Sequence, residues 1–158
     1  MEFNSLVDSL NNNKLLLSLV YVVLSFLFAF IIDQIFIRVF RAIVKKSKTN
    51  LDDQIVEVLH KPLYYTILLF GLSISIKLLN PSELLMFYVD GLFKTIIIIV
   101  WSTSIYKSFI ILIEWLSRKR NSFTFIQLKT IPLFENLGKI VIFLLFIYFM
   151  MLSWGIDV

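Results

Sequence analysis

Residues 15–32 read LLLSLVYVVLSFLFAFII, a run of eighteen residues without a charged side chain. An α-helix rises about 1.5 Å per residue, so a helix of this length covers most of a hydrocarbon core that is about 30 Å thick. The apolar run continues past Asp33 and Gln34 as far as residue 37. We therefore predict a transmembrane helix over residues 15–37.

Three further apolar runs follow, at residues 63–79, 92–116 and 140–156. They are apolar on all faces, whereas the strands of a membrane barrel alternate between apolar and polar residues. The fold class predicted from these runs is an all-α membrane protein with four transmembrane helices. Residues 1–158 are expected to form a single transmembrane domain.

The composition argues against a water-soluble enzyme. Hydrophobic residues make up 59% of the chain and charged residues 16%, and the mean hydropathy is +0.88. A soluble domain of this size has too little interior to bury so much apolar surface. There is no cysteine and one histidine, and no phosphate-binding loop, zinc motif or nucleophile elbow is present. We expect no enzymatic activity and no cofactor.

The basic residues predict the orientation. They are concentrated in the stretches that follow the first and third spans, and the positive-inside rule places both stretches in the cytoplasm. Both termini and the turn at residues 80–91 then face outward. Because the charges flank hydrophobic runs, we reject a nucleic-acid partner. The basic residues are Arg38, Arg41, Lys45, Lys46, Lys48 and Lys61 in the first stretch, and Arg118, Lys119, Arg120, Lys129 and Lys139 in the second.

A short amphipathic helix is predicted at residues 50–60, at the cytoplasmic interface between the first two spans. Asn50 is a suitable N-cap, and Asp52 and Asp53 fall in the first turn, where the helix dipole favours anions. Pro62 can begin the next span because that position needs no amide donor.

Two charged residues fall within hydrophobic runs, where such residues are functional candidates. Asp33 is interpreted as a hydrated or arginine-paired residue near the cytoplasmic end of the first span. Lys107 lies near the middle of the third span, where it could pair with a carboxylate, extend to the interface, contact lipid or belong to a transport path. His60 is expected to be exposed, without a ligand role. The spacing of Asp90 and Lys94 predicts an ion pair within one helix.

Several collinear features resemble the membrane region of the small-conductance mechanosensitive channel (MscS-like) family. A basic stretch precedes TNLDDQIVEVLHKP at residues 49–62, and an apolar span follows. IPL at residues 131–133, LGKI at 137–140 and WGIDV at 154–158 continue the resemblance. In that family a comparable ending comes immediately before the pore helix. The resemblance implies a multi-pass protein of a prokaryotic plasma membrane that assembles as a ring of identical subunits.

The resemblance stops short of the family's pore helix and cytoplasmic domain, neither of which has a counterpart in the 158 residues. We therefore expect a truncated, non-conducting module whose lipid-facing helices sense membrane tension. Membrane lipids are the expected partners, and the candidate headgroup contacts are the basic residues Arg38, Arg41, Lys45 and Lys46.

Two other functions remain open at this point. The chain could be a non-conducting scaffold or accessory subunit of a channel. A small transporter or lipid-modifying enzyme would need clustered intramembrane polar groups, and Asp33, Lys107 and Glu114 are sparse.

Overall fold

The structure is a computed structural model and describes residues 13–44, 51–118 and 131–157. These residues form four α-helices: α1 (Lys14–Val44), α2 (Leu51–Lys77), α3 (Glu83–Arg118) and α4 (Ile131–Ser153). All four are long and apolar enough to cross a membrane, with mean hydropathy of 2.9, 1.3, 2.1 and 2.0 over their most apolar windows. The regular secondary structure of the described residues is therefore all helical, and these residues contain the predicted number of helices that are long and apolar enough to cross a membrane.

The predicted short helix at residues 50–60 is not a separate element. From Leu51 onward these residues form the first turns of α2, which continues through Pro62 to Lys77. A proline inside a helix removes one backbone hydrogen bond. Here the bond lost is the one to the Val58 carbonyl, four residues earlier. The Pro62 side chain is almost completely buried, so its packing offsets part of that loss. The Thr66 hydroxyl donates a 2.7 Å hydrogen bond to a different carbonyl, that of Pro62.

Capping residues decide where α2 ends and α3 begins. Asn80 adopts a left-handed conformation with φ of 52°, and its amide donates to the Lys77 carbonyl at 3.1 Å. Ser82 then caps α3, since its carbonyl accepts a 3.0 Å hydrogen bond from the amide of Met86. The turn predicted at residues 80–91 is therefore much shorter, and α3 begins at Glu83.

The end of α4 is a Schellman motif. The amide of Ile156 donates to the Met151 carbonyl at 3.0 Å, and the amide of Gly155 donates to the Leu152 carbonyl at 3.1 Å. Gly155 has a φ of 72°, a conformation that glycine adopts without steric cost. The helix thus ends at Ser153, before the predicted boundary at residue 156.

The helices pack in chain order. α1 contacts α2, α2 contacts α3, and α3 contacts α4, with no packing between non-consecutive helices in the described part of the chain. Few large apolar side chains are buried; the buried hydrophobic residues are Ala29, Val56, Leu68, Leu69 and Ile113. The helices therefore form an open array rather than a closed bundle, and most apolar side chains are available to lipid.

Candidate functional site

The contact between α1 and α2 is built from small residues. Ser25 and Ala29 are four residues apart on α1, as are Gly71 and Ser75 on α2, the small-xxx-small spacing that lets membrane helices approach closely. A Cβ atom added to Gly71 would lie 2.6 Å from Ser25 Cβ and 3.3 Å from Ser25 Cα. The Ser75 hydroxyl donates a 2.6 Å hydrogen bond to the carbonyl of Ser18. The two backbones are thus held at close range.

Asp33 and His60 link the same two helices further along. Asp33 Oδ1 lies 3.0 Å from His60 Nδ1, and the side chains are 13% and 24% exposed, respectively. The two atoms are within hydrogen-bond distance, and the tautomer of the imidazole determines which of them carries the shared hydrogen. The partner of Asp33 is therefore a histidine of the next helix rather than Arg38 or Arg41. His60 is therefore half-buried and contacts Asp33 on α1, whereas the sequence predicted an exposed side chain.

A cavity of about 570 Å³ lies beside this pair, between the last turns of α1 and the first turns of α2. Its charged residues come from both helices. Arg41 is contributed by α1, and Asp53 and Glu57 by α2. The lining residues are Ile37, Arg41, Asp53, Val56, Glu57 and His60.

The opposite charges in this cavity do not contact one another. The ion pairs Asp33–His60 and Lys77–Asp90 lie within 4.0 Å, and neither includes Arg41, Asp53 or Glu57. Arg41, Asp53 and Glu57 therefore line one cavity without an ion pair among them. The described residues also hold no group of three or more histidine, aspartate or glutamate side chains suited to a metal ion.

Arg38, another predicted headgroup contact, lies at the same end of α1 as Arg41. Arg38 and Arg41 are exposed on the last turns of the helix, before Val44. Lys45 and Lys46 lie outside the residues that the structure describes. The structure thus separates Arg41, which lines the cavity, from Arg38, which does not.

Polar side chains join α2 to α3. The Ser73 hydroxyl donates to Asp90 Oδ1 at 2.7 Å, and Lys77 Nζ lies 3.5 Å from Asp90 Oδ2. Towards the other end, Trp101 Nε1 donates to the Thr66 hydroxyl at 3.1 Å. The ionic partner of Asp90 is therefore Lys77 on the neighbouring helix instead of the predicted Lys94.

The contact between α3 and α4 is fixed at both ends. Near the start of α4, Gly138 lies against the ring of Phe109, where an added Cβ would overlap the ring. The Tyr106 hydroxyl donates to Glu135 Oε1 at 3.2 Å. At the other end, Trp154 Nε1 donates to the Thr95 hydroxyl at 3.0 Å. The WGIDV segment at residues 154–158 thus contributes the tryptophan that anchors α4 to α3.

Lys107 is exposed on α3, and no hydrogen bond or ion pair connects it to the described residues. One residue further along, the Ser108 hydroxyl is buried without a hydrogen-bond partner. Because no ion pair joins Lys107 to a carboxylate within the described ranges, pairing with a carboxylate is not observed there. Extension of Lys107 toward an interface, or its contact with lipid, stays a prediction.

No family model, curated protein or solved structure matches this chain. The resemblance to mechanosensitive channels consequently rests on the sequence features alone.

Proposed function

We propose that this protein is a lipid-facing, tension-sensing membrane module of a mechanosensitive ion channel, and that it does not conduct ions by itself. The observation that carries the proposal is the open array, in which, over the described ranges, each helix contacts only its neighbours in the chain. Its partners in this proposal are membrane lipids and further copies of the chain.

The physical argument concerns membrane area. Tension favours the conformation that occupies more area in the plane of the membrane, and it acts only through the difference between two states. A closed bundle can expand only by breaking its shared core. An open row of helices can expand by tilting, while each pairwise contact is largely kept.

The unequal lengths of the spans support this mechanism. The candidate membrane span within α3 is 34 residues long, and that within α4 is 22 residues long. At about 1.5 Å per residue, the first is roughly 50 Å long and the second roughly 33 Å, against a hydrocarbon core of about 30 Å. A helix longer than the bilayer accommodates by tilting or kinking, so a thinner, tensed membrane is expected to tilt α3 most.

The test measures distances between helices in membranes of different thickness. The chain has no cysteine, so two introduced cysteines can carry spin labels without background. We would label Leu24 and Leu144, which are exposed on α1 and α4, and compare thick bilayers with thin or lysolipid-treated ones. The matched control pair, Leu92 and Ile105, lies within α3.

We expect the α1–α4 distance to increase by several ångström in thin or lysolipid-treated membranes while the control distance stays constant. Patch-clamp recording of the reconstituted chain is expected to show no tension-activated current. An unchanged α1–α4 distance would contradict tension sensing and favour a non-conducting scaffold or accessory subunit. A reproducible tension-activated pore would contradict a purely sensory role.

A further inference from the structure

We propose that the cavity between the end of α1 and the start of α2 binds a phosphoethanolamine zwitterion, with Arg41 holding the phosphate and Asp53 and Glu57 holding the ammonium group. The proposal concerns ligand recognition and does not depend on tension sensing.

The charge pattern is the first step of the argument. Arg41 on α1 and the two carboxylates on α2 line one cavity without forming an ion pair within 4.0 Å in the described chain. Arg41 can hold an anionic group, and the two carboxylates on the other helix can hold a cationic group. A ligand with a negative and a positive end can contact both sides of the cavity at once.

The position of the cavity favours a lipid as the source of this zwitterion. Arg41 lies in the last turn of α1, and the apolar span of α2 begins at Asp53. Both spans therefore reach the bilayer surface at this cavity, where phospholipid headgroups are concentrated. All three charged residues are exposed, and a volume of about 570 Å³ lies within the roughly 300–1,000 Å³ range of small-molecule sites.

The lining chemistry selects a primary amine over a choline group. A primary ammonium has three N–H donors, which carboxylates accept in strong, charge-assisted hydrogen bonds. A quaternary ammonium has no N–H and is usually recognised by the faces of tryptophan, tyrosine or phenylalanine rings. None of these three residue types is among the described residues that line the cavity. Arg41 can bind a phosphate through two parallel hydrogen bonds.

The first experiment uses the unmodified chain. Native mass spectrometry of the full chain in detergent would measure binding of phosphatidylethanolamine, its mono- and dimethyl derivatives, phosphatidylcholine and phosphatidylglycerol. We expect phosphatidylethanolamine to bind about tenfold more tightly than phosphatidylcholine, since a charged hydrogen bond contributes about 1.5 kcal/mol. Affinity should fall stepwise with N-methylation. Equal binding of phosphatidylethanolamine and phosphatidylcholine would overturn the proposal.

Variants then assign each end of the ligand. Arg41→Gln should weaken the binding of every phospholipid. The double substitution Asp53→Asn and Glu57→Gln should abolish the preference for phosphatidylethanolamine and tighten the binding of phosphatidylglycerol. The matched controls are Lys94→Gln and Glu83→Gln, which remove exposed charges outside the cavity and should leave the ratio of phosphatidylethanolamine to phosphatidylcholine unchanged. Circular dichroism would verify the helicity of each variant. The same loss of preference in the controls would overturn the assignment.

A soluble competitor distinguishes the two sources of the zwitterion. If the ligand is a lipid headgroup, millimolar glycerophosphoethanolamine should displace little phosphatidylethanolamine, because it lacks the acyl chains that hold the headgroup at the interface. If glycerophosphoethanolamine instead displaces all bound phosphatidylethanolamine, and Arg41→Gln abolishes its binding, the ligand of this site is a soluble phosphoethanolamine compound.

Discussion

Asp33 and His60 lie 27 residues apart in the chain, yet their side chains meet across α1 and α2 with a 3.0 Å contact between Oδ1 and Nδ1. The two residues add a polar contact to an interface in which Gly71 approaches Ser25 closely and the Ser75 hydroxyl donates to the Ser18 carbonyl. This pair and the close approach of Gly71 to Ser25 together fix the register of the two helices.

Replacing His60 with leucine is expected to destabilise the protein, because it leaves a largely buried carboxylate without its partner. In a double-mutant cycle with Asp33→Leu, we expect a coupling energy of about 1 kcal/mol, the magnitude typical of interhelical hydrogen bonds in membranes. The measurement is unfolding in mixed micelles, titrated with dodecyl sulfate and followed by circular dichroism. Strictly additive effects of the two substitutions would contradict an energetic contribution from the contact.

Gly71→Ala is expected to force α1 and α2 apart, because the new Cβ would lie 2.6 Å from Ser25 Cβ. We expect a loss of about 1–3 kcal/mol, as for other overpacked sites, measured by the same unfolding titration. Gly91→Ala is the control, since its Cβ would meet the Trp154 ring at an ordinary 3.5 Å. Ser25→Gly should restore much of the stability of Gly71→Ala, whereas Ser25→Ala should not, because its Cβ remains.

Gly155→Ala is expected to fray the end of α4. Gly155 has a φ of 72°, and a residue with a Cβ atom adopts this left-handed conformation at a free-energy cost of about 1–2 kcal/mol. Hydrogen exchange at the Ile156 amide, which donates to Met151, would report the loss directly. Gly155→Asn should have a smaller effect, because asparagine tolerates this conformation better than alanine. Equal exchange rates in the alanine variant and the unmodified protein would contradict the capping role.

The distribution of basic residues predicts which ends of the helices face outward, and single cysteines can test it. Introduced cysteines at positions 13 and 82 should react with a membrane-impermeant maleimide in intact cells. A cysteine at position 53 should react only after permeabilisation, because the positive-inside rule places it in the cytoplasm. Labelling in the reverse pattern would show that the orientation is inverted.

Hydropathy was sufficient to predict four helical spans, but not where the helices begin and end. A helix can extend into polar residues when a cap satisfies its terminal amides. This is why Ser82 starts α3 well before the apolar run at residues 92–116. Likewise, Pro62 was interpreted as a boundary, whereas α2 continues through it with the proline side chain almost completely buried.

The contacts of the candidate site were harder to predict because they join different helices. Sequence spacing identifies neighbours on one helix, as in the predicted Asp90–Lys94 pair. It does not give the register between helices, which here brings Lys77 to Asp90 and His60 to Asp33. The same register brings Asp53 and Glu57 to the cavity that Arg41 lines. The sequence therefore identified Arg41 as a candidate contact but did not place the two carboxylates beside it.

The packing of each helix only against its neighbours in the chain has a consequence for biogenesis. When a new segment leaves the ribosome and enters the bilayer, the surface against which it docks has already been synthesised. Each of α2, α3 and α4 can pack against the helix synthesised just before it, so docking does not depend on a helix that is distant in the chain. Assembly can therefore keep pace with translation, and no loop must close over a long stretch of chain before docking begins.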